Sequence, residues 1–321
     1  MSTVDDVVLL GGAAMPALME RTERCLEEVA AGYGETLTEA TAGTLAAGGK
    51  RLRPLLVLLC AGAVEDDEPI RAAAAVELVH MATLVHDDVI DRAALRRGHA
   101  TVFAASGRET ATATGDFVFS RSFALLTRNG DERQVRVLAD ACLALAEGEL
   151  AQRHDAYRPD VTEERYLHRC RLKTASLFAA ACRLGALAAG RAEDEADALA
   201  AYGQDLGVAF QMLDDVLDVS GPAERTGKHR GTDVLDGTVT LPLILARAAD
   251  PELAALDLHG ITTREQAEEV CDRIADTDAI PLTRARAGEL MSRAKDALRD
   301  VDESLATVLH SVADRVADRY A

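Results

Sequence analysis

Residues 70–91 read IRAAAAVELVHMATLVHDDVID. Apolar residues recur at spacings of three and four as far as Val85, a pattern that predicts a long, strongly apolar helix. Three acids then close it, Asp87, Asp88 and Asp91, where burial makes charge costly. Residues 212–218, MLDDVLD, repeat the arrangement with Asp214, Asp215 and Asp218. On a helix, positions i and i+4 share a face, so Asp87 points with Asp91, and Asp214 with Asp218. Asp88 and Asp215 sit about 100° round and reach the same ion only from the side or through water.

The rest of the chain shows the same periodicity of three and four, with no convincing strand or hairpin pattern. The prediction is therefore all-α. An Ala-rich chain without Trp also suits close-packed helices better than a β-sandwich. No shift in composition marks a boundary, so one domain is expected over residues 1–321. Breaks fall at GGKRLRP, LRRGHATVF, TRNGDER, YRPDVT and DTDAIPL, and in a long Gly-rich stretch from Ser220 to Pro242, a length typical of functional lids. The N-terminal apolar patch carries acids where a signal peptide needs bases, and it is short for a membrane span, so it reads as a packed helix. A cytoplasmic protein follows.

A formal charge of −19 and a pI near 4.8 argue against a nucleic-acid partner. Only four of the 35 basic residues are Lys. Acid excess with Lys depletion is the balance that a high-salt cytoplasm favours. Six Cys occur and none forms Cys-x-x-Cys, the pattern of buried reduced thiols.

Hard divalent cations take oxygen ligands, and Mg²⁺ shares its shell with water and substrate phosphates. Two acid-tipped helices facing across a bundle would hold Mg²⁺ and a diphosphate. One such motif in an Asp-rich chain can be a solvated face; two of them, each ending an apolar helix, point to metal. The basic residues agree. Lys50, Arg51 and Arg53 follow a Gly pair, Arg96 and Arg97 lie just past the first motif, Lys173 precedes Thr174, and Lys228 sits in TGKHRG. Arg and Lys bind phosphate by forked and point-charge contacts.

GGKRLRP, HMATLVHDDVIDRAALRRGHAT, GDF, KTASLF, FQMLDDVLD and TGK, in that order, resemble the trans-polyprenyl diphosphate synthase family, strongly from Lys50 to Pro242. The resemblance implies a single-domain bundle of antiparallel helices around a central substrate cavity, as a homodimer. It would condense an allylic diphosphate with isopentenyl diphosphate and pass the product to a membrane. By position, Asp87, Asp88, Asp91, Asp214, Asp215 and Asp218 would hold about three Mg²⁺ ions on the allylic diphosphate. Arg96 and Lys173 would grip that diphosphate, with Lys228 beside it. Lys50, Arg53, His80 and Arg97 match the isopentenyl diphosphate grip, and Thr174 and Gln211 match the residues flanking the allylic cation. One position departs from the pattern: Thr238 stands where the family has Lys, which removes one diphosphate contact.

The helix before HDDVID should line the tail channel through Thr83, Val79 and Val76, flanked by Ala82. Short-chain relatives plug it with an aromatic at the fourth or fifth position before the first Asp; here those positions are Thr83 and Ala82. From residue 87 back to 76 the helix rises about 16 Å, room for three or four isoprene units. A product longer than C20, a quinone side-chain precursor, is expected, with Leu138 or Cys142 at the floor. The alternatives are a geranylgeranyl or farnesyl diphosphate synthase, or a non-catalytic partner subunit. A terpene cyclase would want a different second motif and an aromatic-lined pocket.

Overall fold

The computed structural model describes residues 8, 11–31, 51–62, 66–96, 98–221 and 230–319. Lys50, Arg97 and Lys228 lie outside them, as do parts of the N-terminal patch and of the Gly-rich stretch. The regular structure of the described residues is helical but for one short ladder, as the periodicity predicts, and none of their helices is long and apolar enough to cross a membrane. The chain divides into two compact units, each discontinuous in sequence. Four of the five boundaries fall inside helices, which explains why composition gives no sign of them.

The first unit comprises 1–142, 177–201 and 298–311. Its centre is α3 (Glu68–Ile90), which packs on α1 (Met15–Ala30), α2 (Leu52–Ala61) and α4 (Val102–Leu126). Pro69 opens α3, where a missing N–H costs nothing. The helix then buries Ala72 to Val79 without interruption; apolar residues surround it on every side, and the one acid in the run, Glu77, is paired with Arg51. One side of α3 (Ala74, Leu78, Met81 and Ala82) joins Leu26, Val29, Val118 and Leu125 in a closed apolar cluster. Val76 and Val79 are also fully buried, while Thr83 is half-buried and donates its hydroxyl to the His80 carbonyl at 2.7 Å.

After α3 the chain forms a two-strand antiparallel ladder, β1 (Leu95–Arg96) with β2 (His99–Ala100), pairing Leu95 with Ala100 and Arg96 with His99. This corrects the expectation of no hairpin: two residues per strand are too few for alternation to show in sequence. Gly98, at φ +80°, supplies the left-handed turn residue.

The second unit comprises 143–176, 202–297 and 312–321. It draws on α5 (Glu132–Asp155), α6 (Glu163–Cys170), a π-turn (Arg171–Ala175) and α8 (Glu193–Ser220); α7 (Ser176–Ala188) falls almost wholly in the first unit. The Gly-rich stretch is not all loop, because Thr232–Leu235 form a short helix, α9. Beyond it α10 (Leu241–Ala249), α11 (Pro251–Ala255), α12 (Arg264–Ala275) and α13 (Ala279–Asp296) build an apolar core around Val239, Leu243, Leu253, Cys271 and Ile274. Thr263 and Gln266 close α12 with a reciprocal capping box.

Candidate active site

The first acid motif ends α3. Asp88 is buried, and its Oδ1 accepts from Arg96 Nε at 2.8 Å and from its terminal nitrogen at 2.7 Å. The hairpin brings Arg96 back across eight residues to make this pair. The outer acids are more open: Asp87 is half-buried and Asp91 exposed. His86, one residue earlier, sets its Nε2 3.2 Å from Asp116 of the GDF motif. Gly115 makes room for that ring, since a Cβ there would lie 2.3 Å from Nε2.

In the same unit the basic segment before α2 is tied to α1 and α3. Arg51, in the left-handed region at φ +48°, donates to Glu23 at 2.6 Å and to the buried Glu77 at 2.8 Å. Arg53 stacks its guanidinium 4.6 Å from the centre of the Phe178 ring. Its Nε is buried with no hydrogen-bond partner among the described residues. Burial lowers the Arg53 guanidinium to about 10, against the pull of Glu77. An orphaned buried N–H on a cation suits an anionic ligand. His80 lies three residues beyond Glu77 on α3.

The second motif lies within α8, in the second unit. Asp214 is exposed, Asp215 is 3% exposed, and Asp218 is half-buried. Tyr166 donates its hydroxyl to Asp215 Oδ2 at 2.6 Å, and Gln211 donates its amide to Oδ1 at 2.7 Å. Burial lifts the Asp215 carboxyl to about 7, although both hydrogen bonds oppose the rise. Asp218 accepts from the Asp233 backbone N–H at 3.0 Å, and so caps α9.

Lys173 and Thr174 both sit in the π-turn, a rare element that is common at functional sites. Thr174 donates to Gln211 Oε1 at 2.7 Å. Lys173 is ion-paired with Glu149 of α5. Burial pushes the Glu149 carboxyl up, but Lys173 and Arg153 outweigh it and hold it below the ordinary range. Gly148 allows this approach, since a Cβ there would fall 2.6 Å from the Lys173 backbone nitrogen.

Within the second unit the structure thus joins Thr174, Gln211 and Asp215 in one hydrogen-bonded chain. Within the first it joins Asp88 to Arg96, and brings Glu77 to the segment of Arg51 and Arg53. The sequence reading did not single out Tyr166, Glu77, Glu149 or Asp116, whose partners are set by tertiary packing; only Asp116, inside GDF, carried a signal. Among the described residues no three His, Cys, Asp or Glu side chains form a metal cage by themselves. The donor set still fits Mg²⁺: hard carboxylate oxygens one turn apart, one or two per ion, with substrate phosphates and water completing the shell.

A family model described as polyprenyl synthetase matches residues 34–277. Heptaprenyl diphosphate synthase component 2 of Geobacillus stearothermophilus is 41% identical over 283 residues, covering 87% of each chain. Geranylgeranyl diphosphate synthase of Methanosarcina mazei is 36% identical over 295 residues, covering 89% of this chain and 90% of its own. Among solved structures, polyprenyl synthase from Caulobacter crescentus CB15, complexed with calcium and isoprenyl diphosphate, superposes with a TM-score of 0.89. It is 34% identical and covers 99% of this chain and 98% of its own.

Proposed function

The chain belongs to the polyprenyl synthetase family and is a prenyl diphosphate synthase, and from that premise we propose that it is Mg²⁺-dependent and makes a product longer than C20. Its substrates are isopentenyl diphosphate and an allylic diphosphate, joined trans and head to tail. The observation that carries the metal dependence is a division of labour repeated in both acid motifs. Each buries and satisfies its middle acid, and each keeps its outer acids one turn apart and more open. The product length rests on Thr83 and Ala82 standing where an aromatic would plug the channel.

When bound, Mg²⁺ supplies Lewis-acid neutralisation of the leaving diphosphate. Asp87, Asp91, Asp214 and Asp218 offer it carboxylate oxygens, for about three ions per site, with Asp88 and Asp215 adding charge from behind. Arg96 grips the allylic diphosphate with the N–H groups that Asp88 leaves over, and Lys173 does so with those that Glu149 leaves over. Lys228 adds its charge to the grip on that diphosphate. Lys50, Arg53, His80 and Arg97 hold isopentenyl diphosphate. Thr174 and Gln211 turn oxygen toward the allylic cation once the C–O bond breaks. The alkene of isopentenyl diphosphate then attacks, and the released diphosphate takes the proton, so the protein supplies no base. The tail extends along Val76, Val79 and Thr83, flanked by Ala82. The enzyme works in the cytoplasm as a homodimer and hands its product to a membrane.

The test is turnover by the purified chain with Mg²⁺, labelled isopentenyl diphosphate and a C10, C15 or C20 primer, read as product mass with and without a chelator. Mg²⁺-dependent products beyond C20 are expected. A terminal C15 or C20 product would contradict the chain length, and turnover in chelator the metal. The words "component 2" in the name of one relative favour a second reading, in which a partner chain is required. Turnover by this chain alone excludes it.

A further inference from the structure

We propose that Tyr166 is a positioning residue which, through Asp215, fixes the Gln211 amide with its oxygen turned toward Thr174. What Tyr166 does for turnover rests on the reading that Thr174 and Gln211 flank the allylic cation. Each link of the chain is short: Tyr166 to Asp215 at 2.6 Å, Gln211 to Asp215 at 2.7 Å and Thr174 to Gln211 at 2.7 Å.

The order of donors follows from the chemistry of the groups. An ionised carboxylate has only acceptor capacity to offer Gln211, and the Tyr166 O–H anchors its other oxygen so that Oδ1 stays aimed at the amide. The amide must therefore present its N–H₂ to Asp215 and its carbonyl oxygen to Thr174. Thr174 then spends its hydroxyl proton on that oxygen, leaving lone pairs as what it offers to a neighbour. Lone pairs are what a cation needs. Without the Tyr166 hydroxyl, Asp215 Oδ2 is left unsatisfied in the interior, which is costly. Held only by Gln211, the carboxylate can swing Oδ1 away, and the amide, no longer pinned, can turn over and leave Thr174 to present its proton instead.

The frame around Tyr166 suits this work. The residue is 1% exposed, and the Arg169 guanidinium lies 5.5 Å from the centre of its ring. Arg169 is itself tied to the Val239 carbonyl at 2.6 Å and lies 3.6 Å from Asp155. Tyr166 and Thr174 lie on one continuous stretch, α6 running into the π-turn, while Gln211 and Asp215 lie one turn apart on α8. Eight residues of plain α-helix would leave 174 about 80° out of phase with 166. The π-turn, with less rotation per residue, reduces that offset.

The experiment measures calorimetric binding of two probes to the full chain with Mg²⁺. One is an ammonium mimic of the allylic cation together with inorganic diphosphate; the other is an uncharged-tail thiolodiphosphate analogue of the primer. Tyr166→Phe should weaken the ammonium probe about tenfold and the thiolo probe by less than about twofold, with kcat falling about tenfold and KM for isopentenyl diphosphate steady. In a Gln211→Met background, adding Tyr166→Phe should change ammonium binding by less than about twofold, because both act through one chain. Equal losses on both probes, or losses that multiply in the double variant, overturn the role. If Gln211→Met weakens the ammonium probe and Tyr166→Phe does not, only the role of Tyr166 falls. If Gln211→Met changes nothing, the cation reading falls and takes the role of Tyr166 with it. Should Tyr166→Phe not fold, as melting would show, Asp215→Asn can turn either end to Gln211 and must show the same split between probes.

Discussion

Asp88 and Asp215 occupy the same place in two copies of one motif and are buried to the same degree, yet they are satisfied by opposite means. Asp88 meets a cation, Arg96, delivered by a hairpin eight residues away. Asp215 meets two neutral donors, the Tyr166 hydroxyl and the Gln211 amide, the first of them 49 residues away. The helical period alone decides that the middle acid turns inward while its neighbours stay more open. What it meets there depends on the fold around it. At the end of α3 the chain turns back and supplies a charge; within α8 it does not, and burial lifts the carboxyl instead.

The sharpest way to break this comparison is to remove outer acids. Asp87→Ala and Asp214→Ala should each lower kcat about 10³-fold, since each removes charge from the leaving-group site; steady-state assays of diphosphate release read the loss. Next come the middle acids. Asp88→Ala should cost about 2–3 kcal/mol in urea unfolding, because Arg96 loses its partner in a partly buried setting. Asp215→Asn should cost less, about 1 kcal/mol, because it sheds the burial penalty of a charge even though its NH₂ end cannot accept from one of the two donors. Equal costs would erase the distinction.

Some of this was legible in the sequence. Spacing of three and four marks α3 and α8, and the i, i+4 pairs separate outer from middle acids. The hairpin at 95–100 was not legible because two-residue strands carry no period, nor was the π-turn at Lys173, because nothing in RLKTA distinguishes it from α-helix. Tyr166, Glu77 and Glu149 looked like ordinary helical positions; each matters through a partner on another element. Arg51 read as one more phosphate-binding base, but Glu23 and Glu77 hold it.

Two smaller effects extend the contrast between packed and open positions. Thr83→Phe, at a half-buried site, should shorten the product to C20 or less with little loss of stability. Ala82→Phe should also cost about 1–3 kcal/mol, because Ala82 is fully buried in one cluster with Leu26, Leu78 and Val118; product mass and melting together separate the two. The smallest effect is in the thiols. Burial pushes Cys142, Cys170 and Cys271 up to about 12 from an ordinary 9.0. In the unfolded chain they ionise first, so stability is undiminished below pH 9 and declines as pH rises from there toward 12. Folded protein should resist iodoacetamide at pH 8 and react fully in denaturant.

The division between outer and middle acids is tested most directly by calorimetric titration of Mg²⁺ and inorganic diphosphate into Asp214→Asn and Asp215→Asn. Asp214→Asn should lose about a hundredfold in Mg²⁺-dependent diphosphate affinity, and Asp215→Asn less than about fivefold. Equal losses, or the larger loss at Asp215, would contradict the assignment of the buried acid to support and the open acid to metal.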